Sequence, residues 1–287
     1  MGIVENMADI TVIMTLYKRP EMLLPQLEAI RKQTLRPKKI LLFQDRMVRD
    51  YEIKVMQNIS EQFDSTYITN SNEGVWGRFR YARNADTKYV CIFDDDTIPE
   101  KKWLESCFNE SQKQRGIYGT IGIVLRNRTG YPYWQGYYRV GWANPNEVTE
   151  EVDFVGHSWF LETEWLDYMF NGTEIFQKYH IAGEDMCLSA KAQEQGIKTF
   201  VPPHPVRNKD LWGSTPDIAG WIGDSKSAIS ASEENLRIMN EAVIKLQDTG
   251  WKPLFKKNKD LVERGFRDFK WRLKKERIKK IINSIHG

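Results

Sequence analysis

The chain has 287 residues, 41% of them hydrophobic and 12% aromatic, and a net charge of +3; this is ample material for a core and excludes a disordered chain. No apolar run reaches the ~20 residues that span a bilayer, and residues 1–9 lack the basic start and apolar block of a secretory signal. Cys91, Cys107 and Cys187 form no CxxC pair and read as reduced, buried thiols, so a cytoplasmic location is expected.

Asp9 to Tyr17 is a β-branched, apolar run that predicts a first strand. Lys18-Arg19-Pro20 turns it into a helix with Leu23, Leu24, Leu27 and Ile30 at helical spacing. Arg36-Pro37 ends that helix, and Lys39 to Phe43 predicts a second strand closing on Gln44-Asp45. A β-α-β opening implies a parallel pair with a right-handed crossover. A helix is expected from Tyr51 to Phe63, then a short strand from Tyr67 to Thr69 that ends at Asn70-Ser71-Asn72-Glu73-Gly74. A helix carrying Arg78, Arg80 and Arg83 follows, its arginines either a solvated face or partners for a diphosphate.

That helix leads into Lys88-Tyr89-Val90-Cys91-Ile92-Phe93-Asp94-Asp95-Asp96-Thr97, an apolar run that stops on three carboxylates. The run predicts a buried, parallel strand, and open α/β sheets bind ligands beyond the carboxyl ends of such strands. Three adjacent carboxylates repel one another unless a cation or a set of donors compensates. Hard oxygen ligands suit Mg²⁺ or Mn²⁺. The alternative is an acidic turn in which Asp96 or Thr97 caps the next helix. Neither GxGxxG nor GxxxxGK[ST] is present, so a dinucleotide fold and a P-loop have no support.

An amphipathic helix is expected from Pro99 to Arg115, and a strand from Ile117 to Arg126. Aromatic residues among the glycines of 130–142 predict an antiparallel hairpin or a stacking platform. Val152 to Leu161 predicts a further strand, followed by a helix from Glu164. In Gly183-Glu184-Asp185-Met186 two acids open an apolar helix, where free amides favour carboxylates. Gly196 to Val201 predicts the last strand, closed by Pro202-Pro203-His204-Pro205, where His204 is a surface histidine or a ligand. Residues 211–231 read as a loop over the site, and Ser232 caps a helix to Gln247. Thirteen Lys and Arg against four Asp and Glu in 251–287 leave residues 1–250 at −6 within the overall +3. That tail predicts a basic amphipathic helix, which either packs on its own domain or lies on an anionic membrane; nucleic acid is not expected.

Taken in this order, the chain resembles the GT-A class of nucleotide-sugar glycosyltransferases. The first βαβ unit with Tyr17-Lys18-Arg19-Pro20 and Gln33 is similar to that class, and Asp94-Asp95-Asp96 stands where its metal-binding DxD motif stands. Within the class the chain resembles the exostosin-like α-N-acetylhexosaminyltransferases. The likeness is carried by Asn72 with Gly77-Arg78-Phe79, by Gly156-His157-Ser158-Trp159-Phe160 and by Glu184-Asp185-Met186. Arg237 and Asn240, with Trp251-Lys252-Pro253-Leu254, complete it. The implied fold is α/β: a Rossmann-like, mainly parallel central sheet flanked by helices, with the basic helical tail appended. Residues 1–250 would form one catalytic domain, with a nucleotide-sugar half at about 8–100 and an acceptor half at about 101–250, and 251–287 would be the tail.

The resemblance implies a metal-dependent transfer of sugar from a UDP-sugar to a glycan or lipid-linked acceptor. Asp96 would hold Mn²⁺ or Mg²⁺, with Asp94 and His204 as further candidate ligands. Asp94 and Asp95 would meet ribose and sugar, Gln44, Asn70 and Asn72 the nucleoside, and Arg78 and Arg237 the diphosphate. Asp185 with Glu184 would lie at the reacting sugar. The exostosin-like likeness implies retention; an inverting enzyme would use Asp185 as general base. A different metal-dependent phosphoryl or nucleotidyl transferase, or a non-catalytic nucleotide-sugar-binding protein, would share the acidic strand end.

Overall fold

The computed structural model describes residues 7–17, 19–45, 59–133, 136–142, 144–177, 180–215 and 232–256. Most of the helix expected over 51–63, much of the loop expected over 211–231, and the tail from 257 onward lie outside the described residues.

β1 (Met7–Leu16) is the axis of the main sheet, buried from Ile10 onward. β2 (Arg36–Gln44) and β4 (Tyr89–Phe93) run parallel to it on either side, and β3 (Ser65–Ile68) is the parallel edge strand beyond β2. A run buried on both faces has no polar alternation, which is why β4 is apolar throughout. The sheet continues through β10 (Ser158–Glu162), β5 (Gly116–Tyr118), β11 (Lys198–Val201) and β8 (Glu150–Val152). β10 is antiparallel to both β4 and β5. A second sheet sets β6 (Ile121–Leu125) between β7 (Tyr137–Gly141) and β9 (Phe154–Gly156), all antiparallel.

Alternate residues of each central strand point to opposite faces. Val12, Met14, Cys91 and Phe93 meet α1 (Leu23–Arg31) and α3 (Trp103–Lys113) through Leu27, Ile30, Trp103 and Cys107. Ile13, Val90 and Ile92 face the other way. They share a core with Trp76 and with Phe79 of α2 (Gly77–Ala82), Met186 and Leu188 of α5 (Glu184–Glu194), and Val243 and Leu246 of α6 (Glu233–Asp248). The short α4 (Leu166–Phe170) adds Leu166 and Met169. This α/β architecture, a mainly parallel sheet flanked by helices, is the one the GT-A resemblance implies.

Two expectations are corrected. The strands foreseen over 117–126 and 152–161 are each broken, because the chain changes sheets at Gly119-Thr120 and again at His157. Apolar patterning cannot reveal such a crossing, since both sheets are buried. Trp251 and Leu254 are also buried, and Leu254 N donates to Asp153 Oδ1 at 2.6 Å, so the packed body reaches past residue 250. Among the described residues, no helix is long and apolar enough to cross a membrane.

Candidate functional site

The carboxylates of Asp94, Asp95 and Asp96 stand directly beyond the end of β4. Gln26, buried on α1, clasps this turn: its Nε2 donates to Asp94 O at 2.7 Å and to Thr97 O at 2.5 Å. Gln33 does the same further along, donating to Glu100 O and accepting from Leu104 N at the start of α3. The two glutamines tie the acidic segment to the first βαβ unit.

Three basic side chains answer the carboxylates. Arg19 Nη1 lies 2.5 Å from Asp95 Oδ1, and its Nη2 3.6 Å from Asp96 Oδ2. Arg78 is buried on α2, its Nη1 3.0 Å from Asp94 Oδ1 and its Nη2 2.9 Å from Glu184 Oε1. Its guanidinium also stacks over Trp159, 4.8 Å from the ring centroid. Arg78 is therefore an internal counter-charge joining the acidic strand end to the acidic helix start. His157 is the third, with Nδ1 3.7 Å from Asp96 Oδ1.

Burial raises the Glu184 carboxyl to about 8, helped by the charge of Asp185. Burial likewise raises Asp185 to about 7, against the hydrogen bond that its Oδ1 accepts from Met186 N. Asp94 is raised, again chiefly by burial, with Arg78 opposing. For Asp96, burial is outweighed by His157 and Arg19, and its carboxyl is lowered. Burial works against a charged imidazole at His157, but Asp96 and Asp94 outweigh it and hold that group above its ordinary value.

Asp94, Asp96 and His157 offer one ligand atom each, all within 4.8 Å of one another. Asp96 Oδ1 and His157 Nδ1 are buried and make no hydrogen bond. An ion with bonds of about 2.1 Å can bridge ligand atoms up to about 4.2 Å apart, so small side-chain rotations would close the set. Two carboxylate oxygens and an imidazole nitrogen fit a divalent cation. His204 is a correction. It is fully buried between Trp103 and Trp212, its Nδ1 2.8 Å from Pro202 O, while its Nε2 accepts from Gly213 N at 3.3 Å. Burial lowers it to about 4, which makes it a neutral core histidine with both nitrogens engaged.

The remaining candidates sit around this centre. Gln44 is buried at the end of β2, its Oε1 without a hydrogen-bond partner. Asn70 is exposed, and Asn72 Oδ1 accepts from Gly74 N. Their loop is organised by Asp45, whose carboxylate accepts from Thr69 Oγ1, Glu73 N and Gly74 N. Arg237 is exposed on α6 and pairs with Glu241, one turn on, at 3.4 Å; among the described residues no ion pair joins it to the acidic centre. Sequence reasoning missed Arg19, Asp45 and His157 as site residues. Arg19 and Asp45 carry one available signal, since each lies just past the end of a strand, β1 and β2, that points at the same sheet edge.

Residues 11–167 match the model of a family described as Glycosyl transferase family 2. No curated protein matches the chain.

Proposed function

Because the chain belongs to glycosyl transferase family 2, we propose that it is a metal-dependent enzyme that moves a sugar from a UDP-sugar to a glycan or lipid-linked acceptor, with inversion. The observation that carries this reading is the chain of ion pairs Asp94–Arg78–Glu184, which sets the acidic strand end beside the acidic helix start. We assign residues 8–100 chiefly to the donor and 101–250 chiefly to the acceptor, with His157 and Arg237 serving the donor from the second half.

Asp94 and Asp96, with His157, would hold the cation. A bound divalent cation supplies Lewis-acid stabilisation of the charge that builds on the leaving diphosphate. Asp95 would orient the donor's ribose and sugar, Gln44 and the Asn70–Asn72 loop its base, and Arg237 its phosphates. Asp185 would be the general base: it adjoins Glu184, whose pair with Arg78 reaches Asp94, and a carboxyl raised by burial to about 7 suits accepting a proton near neutral pH. It would take the acceptor hydroxyl's proton as that oxygen attacks the sugar carbon from the face opposite the departing diphosphate. Glu184 accepts a hydrogen bond from Arg78, and Arg78 lowers the Asp185 carboxyl against the burial that raises it. The family match stands at the level of glycosyl transferase family 2; retention, which the exostosin-like likeness implies, is the alternative, in which Asp185 would orient sugar and acceptor.

The test is UDP release from a panel of UDP-sugars with and without Mn²⁺. Slow metal-dependent hydrolysis supports the transferase. Binding without turnover, for every donor and acceptor tried, would instead support a nucleotide-sugar-binding protein.

A further inference from the structure

His157 is the corner at which the chain leaves β9 in the small sheet and enters β10 in the main one. It has φ of 66°, the one described non-glycine residue in the left-handed region. Left-handed backbone costs an ordinary residue free energy and persists where the surroundings impose it. Glycine would turn this corner without strain, and Gly156 stands next door with open space around its Cα. The corner is held from outside: β10 pairs with β4 so that Ser158 faces Phe93, and Asp94 N donates to His157 O at 3.0 Å. Trp142 packs edge-on against the imidazole at 6.0 Å. The result is Nδ1 directed at Asp96 Oδ1, both atoms buried and neither hydrogen-bonded.

We propose that His157 is a nitrogen ligand of the cation, kept in a strained conformation by this corner, and that it makes the site select Mn²⁺ or a similar transition ion over Mg²⁺. The proposal rests on the metal-dependent reading above and extends it. Mg²⁺ favours all-oxygen surroundings and gives up its water reluctantly, whereas imidazole binds first-row transition ions well. A site of three oxygens would discriminate far less.

The test uses Mn²⁺ and Mg²⁺ alone, without nucleotide. Calorimetry on the full chain should show tighter binding of Mn²⁺ than of Mg²⁺, and spin-echo spectra of bound Mn²⁺ should carry nitrogen modulation. His157→Asn, which tolerates the left-handed backbone, should lose that modulation and weaken Mn²⁺ binding on the order of tenfold or more, at least as much as losing a supporting residue. His157→Gly relieves the strain, so the metal-free variant should melt no lower than the wild type yet lose the Mn²⁺-induced rise in Tm. If His157→Asn keeps wild-type Mn²⁺ affinity and modulation while Asp96→Asn loses binding, the proposal is overturned and the metal reading stands. If the wild-type chain binds no Mn²⁺ at all, both fall.

Discussion

Arg78 Nη2 lies 2.9 Å from Glu184 Oε1, although 106 residues separate the two in the chain. Both side chains are buried, and breaking a buried pair by deleting one partner typically costs about 3–5 kcal/mol, because the other charge is stranded. Arg78→Ala should therefore destabilise the fold by about that amount. Glu184 is already raised to about 8, and a raised carboxyl contributes stability that is lost as pH rises through its folded value. Removing Arg78, which lowers Glu184, raises that carboxyl further. The defect should therefore be smallest near pH 5, where Glu184 is protonated in both proteins, and largest near pH 8.5, where the variant strands its charge. Urea denaturation at the two pH values checks this; an equal loss at both would remove Glu184 from the account.

Asp185→Asn should lower transfer on the order of a hundredfold or more while leaving donor affinity unchanged. In the wild type, kcat/KM should rise with pH through an apparent value near 7, since the base works ionised. That limb belongs to the Glu184–Asp185 pair jointly, and Asp185→Asn should abolish it. If donor binding vanishes instead, Asp185 belongs to the nucleotide site.

Asp96→Asn should eliminate Mn²⁺-dependent UDP binding in a folded protein, because it removes the carboxylate charge beside His157. Titration of UDP with and without Mn²⁺ decides it. Affinity that still depends on the metal would assign the cation to other residues.

Arg237→Ala should weaken UDP binding more than uridine binding if this exposed arginine meets the diphosphate. The same substitution should change stability little, within about 0.5 kcal/mol, as for surface positions generally. Equal effects on the two ligands would take Arg237 out of the phosphate site.

Gly74→Ala should be among the more damaging single changes in the donor half. Gly74 has φ of 64°, and a Cβ there would lie 2.0 Å from His180 O. The backbone must shift, which should pull the Asn70–Asn72 loop from Asp45 and lower both Tm and UDP affinity. Unchanged values for both would mean that the loop neither packs nor binds as described.

Much of the fold was legible in the residues. The apolar β4 and the apolar stripe of α1 follow from local chemistry, because a strand buried on both faces must be apolar throughout. Arg36-Pro37, expected to end that helix, instead opens β2, the helix having stopped at Arg31. The acidic triplet and the Glu184-Asp185 pair were legible for the complementary reason: carboxylates at the ends of buried elements are costly without a partner. What the sequence could not carry was which elements become neighbours. Antiparallel insertion of β10 beside β4 puts the residue before one strand against the residue after the other, and so makes His157 the companion of Asp94 and Asp96. Tertiary folding brings the end of β4 and the start of α5 to Arg78, so the arginine expected at the diphosphate sits in ion pairs with Asp94 and Glu184. The same folding withdraws His204, whose proline-rich turn reads as surface, into a core between two tryptophans. Charge and patterning set what each residue needs, and the tertiary structure decides which distant residue supplies it.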